Sequence, residues 1–298
     1  MKIFVTGATG IIGGAVLRAL REKGHEVVAL ARSAEAAAKL APLCASVVRG
    51  DVTEPASFAS ALRDVDGIVH NAVGMKGGVN DSDVLAVSTM IDALAGTDRP
   101  LVVTSGIGVY FGLPDTYVDE ETPLDRAIPS QVARVKLEEH VVRGAERGVR
   151  AIVLRPAHVY GRGQAGVFTR VQLAYARREG AAAYIGEGGG FLSFVHVDDL
   201  AEAYVAALAK GRTGARYNVV ASTLTTREVA TAVSHAVGAE GRTVSIAAAD
   251  ATAAFGPLGP LLERAPVASS LRAARDLAWT ARSPSFQWEA VHGSLRDA

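Results

Sequence analysis

Short apolar runs rich in β-formers alternate with amphipathic stretches through the first half of the chain. Ile3-Phe4-Val5 is the first run. After it, Ile12, Val16 and Leu20 repeat at helical spacing, and the stretch closes on Arg21, Lys23 and Gly24, as a helix C-terminus favours. Glu26 to Ala31 predicts a second strand, and Ser33 is a good N-cap for a helix over 34–40 that Pro42 ends. Ser46 to Val48 predicts a third strand, and Pro55 suits the first turn of a helix from Thr53 to Arg63. Strands are predicted at 67–70, 101–105 and 150–154, with helices over 83–95 and 130–147 between them. Such alternation is the mark of βαβ units on a parallel sheet.

Beyond Pro156 the pattern loosens. It predicts a helix over 164–178, strands at 181–185 and 192–197, and an amphipathic helix over 198–210 with two acids at its positive end. A strand at 216–220 and a helix over 226–237, capped by Thr225, follow. From Ala247 the chain is rich in Ala and Pro and reads as helical in pieces. No tandem repeat or linker interrupts it. The expected architecture is α/β: a doubly wound parallel sheet over residues 1–160, to which 191–221 return, and a smaller C-terminal substrate lobe over 161–298.

Composition narrows the function. With 298 residues, 49% of them hydrophobic, the chain can bury a large core. Its 31 basic and 31 acidic side chains cancel, which argues against nucleic acid or an anionic membrane as the main partner. No apolar run approaches the roughly 20 residues of a membrane span. Cys44 is the single cysteine, and the seven histidines lack ligand spacing, so a metal-free, cytoplasmic protein is expected.

Candidate chemistry starts at the first turn. Gly7, Gly10 and Gly13 stand between the first strand and the first helix, with Thr9, Ile11 and Ile12 among them. Glycines that let backbone approach closely, at the N–H-rich start of a helix, build a site for a pyrophosphate. The expectation is a Rossmann-type fold holding a dinucleotide. Arg32 follows the second strand, where an acid would bind the adenosine 2′-OH and an arginine accommodates a 2′-phosphate. NADP(H) is therefore favoured over NAD(H). Asp51 and Val52 belong near the adenine, and Asn71, Ala72 and Val73, after the fourth strand, near the cofactor ribose.

Several motifs in order carry a resemblance: Thr6-Gly7-Ala8-Thr9-Gly10-Ile11-Ile12-Gly13, Gly50-Asp51-Val52, His70-Asn71-Ala72, Thr104 to Tyr110, Arg155 to Gly161 and Phe194 to Ala201. Together they resemble the extended short-chain dehydrogenase/reductase family, the NAD(P)-dependent epimerase/dehydratase-like group. The similarity runs from residue 1 to about 221. It implies a bound dinucleotide, with Thr104 and Pro156 also beside it, and a small-molecule substrate under the C-terminal lobe. A homodimer is left open.

The resemblance further implies a Tyr-x-x-x-Lys pair on one helix, whose spacing of four puts both side chains on one face, assisted by a Ser or Thr after the fifth strand. Lys136 matches the lysine and would grip the nicotinamide ribose. Four residues earlier stands Val132, which has no proton to give, and the Ser/Thr position falls on Gly106. Candidates to replace the lost donor are Tyr110, His158 and a water ordered by Ser105, with Asp115, Tyr117 and Tyr160 also within the expected site. Three readings stay open: an NADP(H)-dependent oxidoreductase acting on a small carbonyl or hydroxyl compound, a non-redox cyclase, dehydratase or isomerase that keeps the dinucleotide, and an NADP(H)-sensing regulator.

Overall fold

The computed structural model describes residues 1–72, 79–113 and 116–298. Strands β1 (Lys2–Thr6), β2 (Glu26–Ala31), β3 (Ser46–Arg49), β4 (Gly67–His70), β5 (Pro100–Thr104) and β6 (Arg150–Pro156) lie in one sheet. The chain then leaves it for β7 (His158–Gly161) and β8 (Phe191–His196), and comes back as β9 (Arg216–Val219). The seven-stranded sheet has the order β9-β6-β5-β4-β1-β2-β3, every pair parallel. Strand order reverses between β1 and β4, the switch point where such sheets open a crevice at their C-terminal edge.

Period-two side chains divide the core in two. Ile3 and Val5 face one cluster and Phe4 the other, and on β6 Ile152 and Leu154 oppose Ala151 and Val153. Helices α1 (Ile11–Glu22) and α6 (Val197–Lys210) cover the first face. Helix α2 (Ala34–Leu40) flanks β2 and β3, while α3 (Asp81–Leu94) and α4 (Pro129–Arg143) cover the second face through Met90, Leu137 and Val141. A third cluster, around Phe194, Leu173, Val229 and Phe286, makes the lobe. It joins α5 (Val167–Glu179) and α7 (Thr226–Ala236) to a four-stranded sheet of β7, β8, Gln164–Ala165 and β10 (Ser222–Thr225).

Two expectations change. The helix from Thr53 to Arg63 is a pair of 3-10 turns, Pro55–Ser57 and Ala59–Leu62. There Ser57 donates its hydroxyl to the Glu54 carbonyl at 2.6 Å and receives the Asp51 N–H at 3.0 Å, a local bonding pattern that competes with helix. Of the returning segment 191–221, residues 191–196 pair with β7 and β10 in the lobe, because β5 and β9 already occupy both edges of β6. No helix among the described residues is long and apolar enough to cross a membrane.

Candidate active site

The turn between β1 and α1 is tightly wound. Gly7 has φ +67°, a left-handed conformation that suits glycine, and the Gly10 N–H closes on its carbonyl at 2.9 Å. A Cβ on Gly13 would stand 2.2 Å from that same carbonyl, so the helix starts against the turn with no room for a side chain. Thr9 and Gly10 are exposed at the tip, and Ile11 and Ile12 are half-buried behind them. No side chain caps the N-terminus of α1 and no acid stands in its first turn. Its free N–H groups and positive end thus face the crevice, a cradle for an anionic diphosphate.

Next to the turn, Leu30, Ala31, Arg32, Asp51, Val52 and Ala72 line a cleft of about 240 Å³. Val52 and Ala72 are its buried apolar flanks. Asp51 accepts from the Thr53 backbone at 3.0 Å and its hydroxyl at 2.9 Å, and lies 3.8 Å from Arg32. Arg49, at the end of β3, donates to the Arg32 carbonyl at 3.3 Å. Arg32, its side chain 60% exposed, thus lines the cleft with Arg49 held against its backbone.

Under the crevice, hydroxyls order the strand ends. Thr6 Oγ1 receives the N–H groups of Asn71 (3.1 Å) and Ala72 (3.3 Å). Its own proton is then free to go to His70 Nδ1 at 2.8 Å. His70 is fully buried, and desolvation pulls its pKa down to about 4. Thr104 Oγ1 donates to Asn71 Oδ1 at 2.5 Å and pairs with Tyr204 of α6 at 2.6 Å. With its oxygen so engaged, Asn71 keeps Nδ2 buried with no partner among the described residues. That idle donor, the uncapped helix start and the Gly13–Gly7 contact together fit a dinucleotide in the crevice. Pro156 is buried at the end of β6, its carbonyl facing Gly106. Val73 lies outside the described residues, as does Asp115.

The expected reacting centre is built differently from its reading in the sequence. Ser105 donates its hydroxyl to Glu138 of α4. Arg155, 1% exposed, grips the same carboxylate through Nε at 3.0 Å and Nη2 at 2.5 Å, and Arg216 of β9 approaches it at 3.4 Å. Ser105 thus offers lone pairs, not a proton, to the crevice. Tyr110 is corrected from proton donor to core residue. Its hydroxyl accepts from Arg155 at 2.7 Å and faces the Asp119 carbonyl at 2.8 Å and Asn218 Oδ1 at 3.0 Å. Burial pushes its pKa up to about 12. Tyr160 is likewise buried, donating to the Pro284 carbonyl at 2.8 Å. Tyr117 is exposed.

Lys136 lies on the exposed side of α4, as does Val132, whereas Leu137, Glu138 and Val141 are buried. Half-buried Arg134 stands on the inner side, under the electrostatic influence of Glu138 and Asp83. His158 is half-buried against Phe168 and Phe194, 4.5 and 5.7 Å away between ring centres. Its Nε2 is sealed without a partner among the described residues, and desolvation lowers its pKa to about 4, so it is neutral at pH 7. Phe168 also meets Phe111, which with Leu113, Pro260 and Leu261 lines a second cleft of about 320 Å³. The functional parts missed in the sequence are Glu138 and Arg155. Their signal was an acid one turn beyond Arg134 and an arginine in an otherwise apolar strand.

A parallel sheet with this switch point, a glycine turn onto a bare helix N-terminus and an adenosine-sized cleft beside it define a dinucleotide-binding Rossmann protein. Residues 3–220 match the model of the NAD dependent epimerase/dehydratase family. The chain belongs to that family, whose relatives include NAD(P)-dependent reductases, epimerases and dehydratases. It is 32% identical over 290 residues to the uncharacterized protein C2A9.02 of Schizosaccharomyces pombe, with 94% of each chain covered. It is 28% identical over 219 residues to a 2-alkyl-3-oxoalkanoate reductase of Stenotrophomonas maltophilia, covering 68% of this chain and 64% of the relative. A dTDP-glucose 4,6-dehydratase of Bacillus anthracis, solved with NAD, superposes with a TM-score of 0.78 at 19% identity. That match covers 99% of this chain and 96% of the other, and at such identity it bears on the fold alone.

Proposed function

We propose that the chain is an NADP(H)-dependent oxidoreductase that interconverts a carbonyl and a hydroxyl on a small, largely apolar metabolite. The observation that carries the reading is Arg32 lining the adenosine cleft beside an intact diphosphate turn, with Arg49 bonded to its carbonyl. Arg32 would meet the 2′-phosphate, with Arg49 adding charge from the next strand. Backbone N–H groups at Ile11 to Gly13 would hold the diphosphate, Val52 and Ala72 would flank the adenine, and Asn71 would supply its idle amide donor. When bound, the coenzyme supplies or accepts a hydride. The aromatic wall of Phe111, Phe168 and His158 supports an apolar substrate body, in keeping with the alkyl substrate named for the Stenotrophomonas relative.

Proton handling is sparse on this reading. Ser105 can accept a hydrogen bond from a substrate hydroxyl, while neutral His158, its Nε2 sealed, serves as part of the aromatic wall. Neither is a strong acid at pH 7. General acid catalysis is worth about 10²–10⁴-fold, so turnover is expected to be slow. The missing donors at Val132 and Gly106 also favour a second reading, in which substrate is converted without net coenzyme consumption.

Calorimetric titration with NADPH and NADH, followed by assays of a ketone panel at the nicotinamide absorbance, separates these outcomes. NADPH is expected to bind at least about tenfold more tightly, and Arg32→Ala to erase the difference. Failure of both coenzymes to bind overturns the proposal. Product formation at constant NADPH moves it to the second reading.

A further inference from the structure

We infer that Arg134, not Lys136, is the cation α4 turns toward the nicotinamide ribose, and that Ser130 stands one turn earlier, where the resemblance places a tyrosine. The inference rests on the coenzyme reading above and fixes which register of the helix serves it.

The inward face of α4 is set by Glu138, because its carboxylate receives the hydroxyl of Ser105, the first residue after β5. At about 100° per residue, Arg134 lies about 40° from Glu138 around the helix axis and Ser130 about 80°. Lys136 lies about 160° away and Val132 about 120°. Past the first turn, burial agrees with the geometry: Gln131 and Arg134 are half-buried, and Val132, Ala133, Lys136 and Glu139 are exposed, while Ser130 is exposed at the helix start with Pro129. A Cβ built on Gly108 would come 3.5 Å from Gln131 Oε1, so this face also lines the turn that follows β5.

Arg134 is bracketed from two elements. Glu138 lies one turn beyond it, and Asp83, in the first turn of α3, which packs on α4, favours its charge. It therefore stands one turn from the Ser105–Glu138 bond at the C-terminal end of β5, the edge that receives the nicotinamide half in such sheets. Burial works against its charge while both carboxylates favour it, which holds a cation in place. Its planar fork of five donors suits a pair of vicinal ribose hydroxyls. Lys136 has neither the direction nor the enclosure for that task.

Coenzyme affinity tests this directly. Dissociation constants for NADPH would be measured by calorimetry for the unaltered protein, Arg134→Leu, Arg134→Lys and Lys136→Leu, each checked for its melting temperature. Arg134→Leu is expected to weaken binding about tenfold or more, Arg134→Lys to recover part of it, and Lys136→Leu to change it by less than about twofold. If the unaltered protein binds no coenzyme, the functional reading itself has failed. If it binds and Arg134→Leu matches it, or Lys136→Leu is the weaker binder, the inference alone is overturned. A second pair of variants needs no loss of function. Ser130→Tyr with Arg134→Lys rebuilds the Tyr-x-x-x-Lys pair on the inner face and should raise ketone reduction above Arg134→Lys alone. Val132→Tyr should not. The reverse result sinks the assignment.

Discussion

A methyl group on Gly13 would collide with the Gly7 carbonyl 2.2 Å away, and neither the turn nor the helix start can yield without the other. Gly13→Ala is therefore expected to cost about 1–3 kcal/mol in chemical denaturation and to abolish measurable coenzyme binding. His70 makes a second case at one residue. Its folded pKa of about 4 lies below the roughly 6.5 of an unfolded histidine, so between those values the unfolded chain binds more protons. The sign is that stability is complete above pH 6.5 and falls as pH drops toward 4. His70 alone should remove about 3 kcal/mol over that window. His158, shifted in the same direction, adds to the loss. Melting curves from pH 7.5 to 4.5 should show His70→Gln with a shallower decline than the unaltered protein; parallel curves would refute the assignment.

Elements announce themselves in the sequence to the extent that their determinants are local. The glycine turn, the Ser33 and Thr225 caps and the alternating apolar runs all act within a few residues, and the strands and helices they predict are present within a residue or two at most ends. Tyr110 was misread because its partner Asn218 is 108 positions away, on a strand that joins the sheet last. For Lys136, motif counting takes the helix as a line of letters, whereas the face turned inward is decided by what Glu138 finds across the sheet edge. The position of Arg32 beside the cleft, which needs only the end of its own strand, was readable. At this scale α6 is tied to the site by one hydroxyl: Tyr204 on Thr104, which in turn orients Asn71. Tyr204→Phe should lower stability by about 1 kcal/mol and weaken NADPH binding severalfold. An unchanged affinity would show that Thr104 holds Asn71 unaided.

Across the whole molecule, the late return of β9 matters most. It closes the sheet beside β6, and it brings Arg216 to Glu138 and Asn218 to Tyr110, so the last strand completes the buried network behind the site. A protein ending at Gly161 would retain every residue proposed to touch the coenzyme and yet leave β6 as a long, apolar outer strand, Arg150–Pro156, paired with β5 on one edge and bare on the other. Unpaired strands of that kind recruit copies of themselves. Expressed alone, residues 1–161 should sediment as large assemblies and should regain a monodisperse, NADPH-binding form when 162–298 are supplied as a separate polypeptide. The nucleotide-binding half of this chain is thus not a portable module, and any gene fusion that carries it alone must run through Val219.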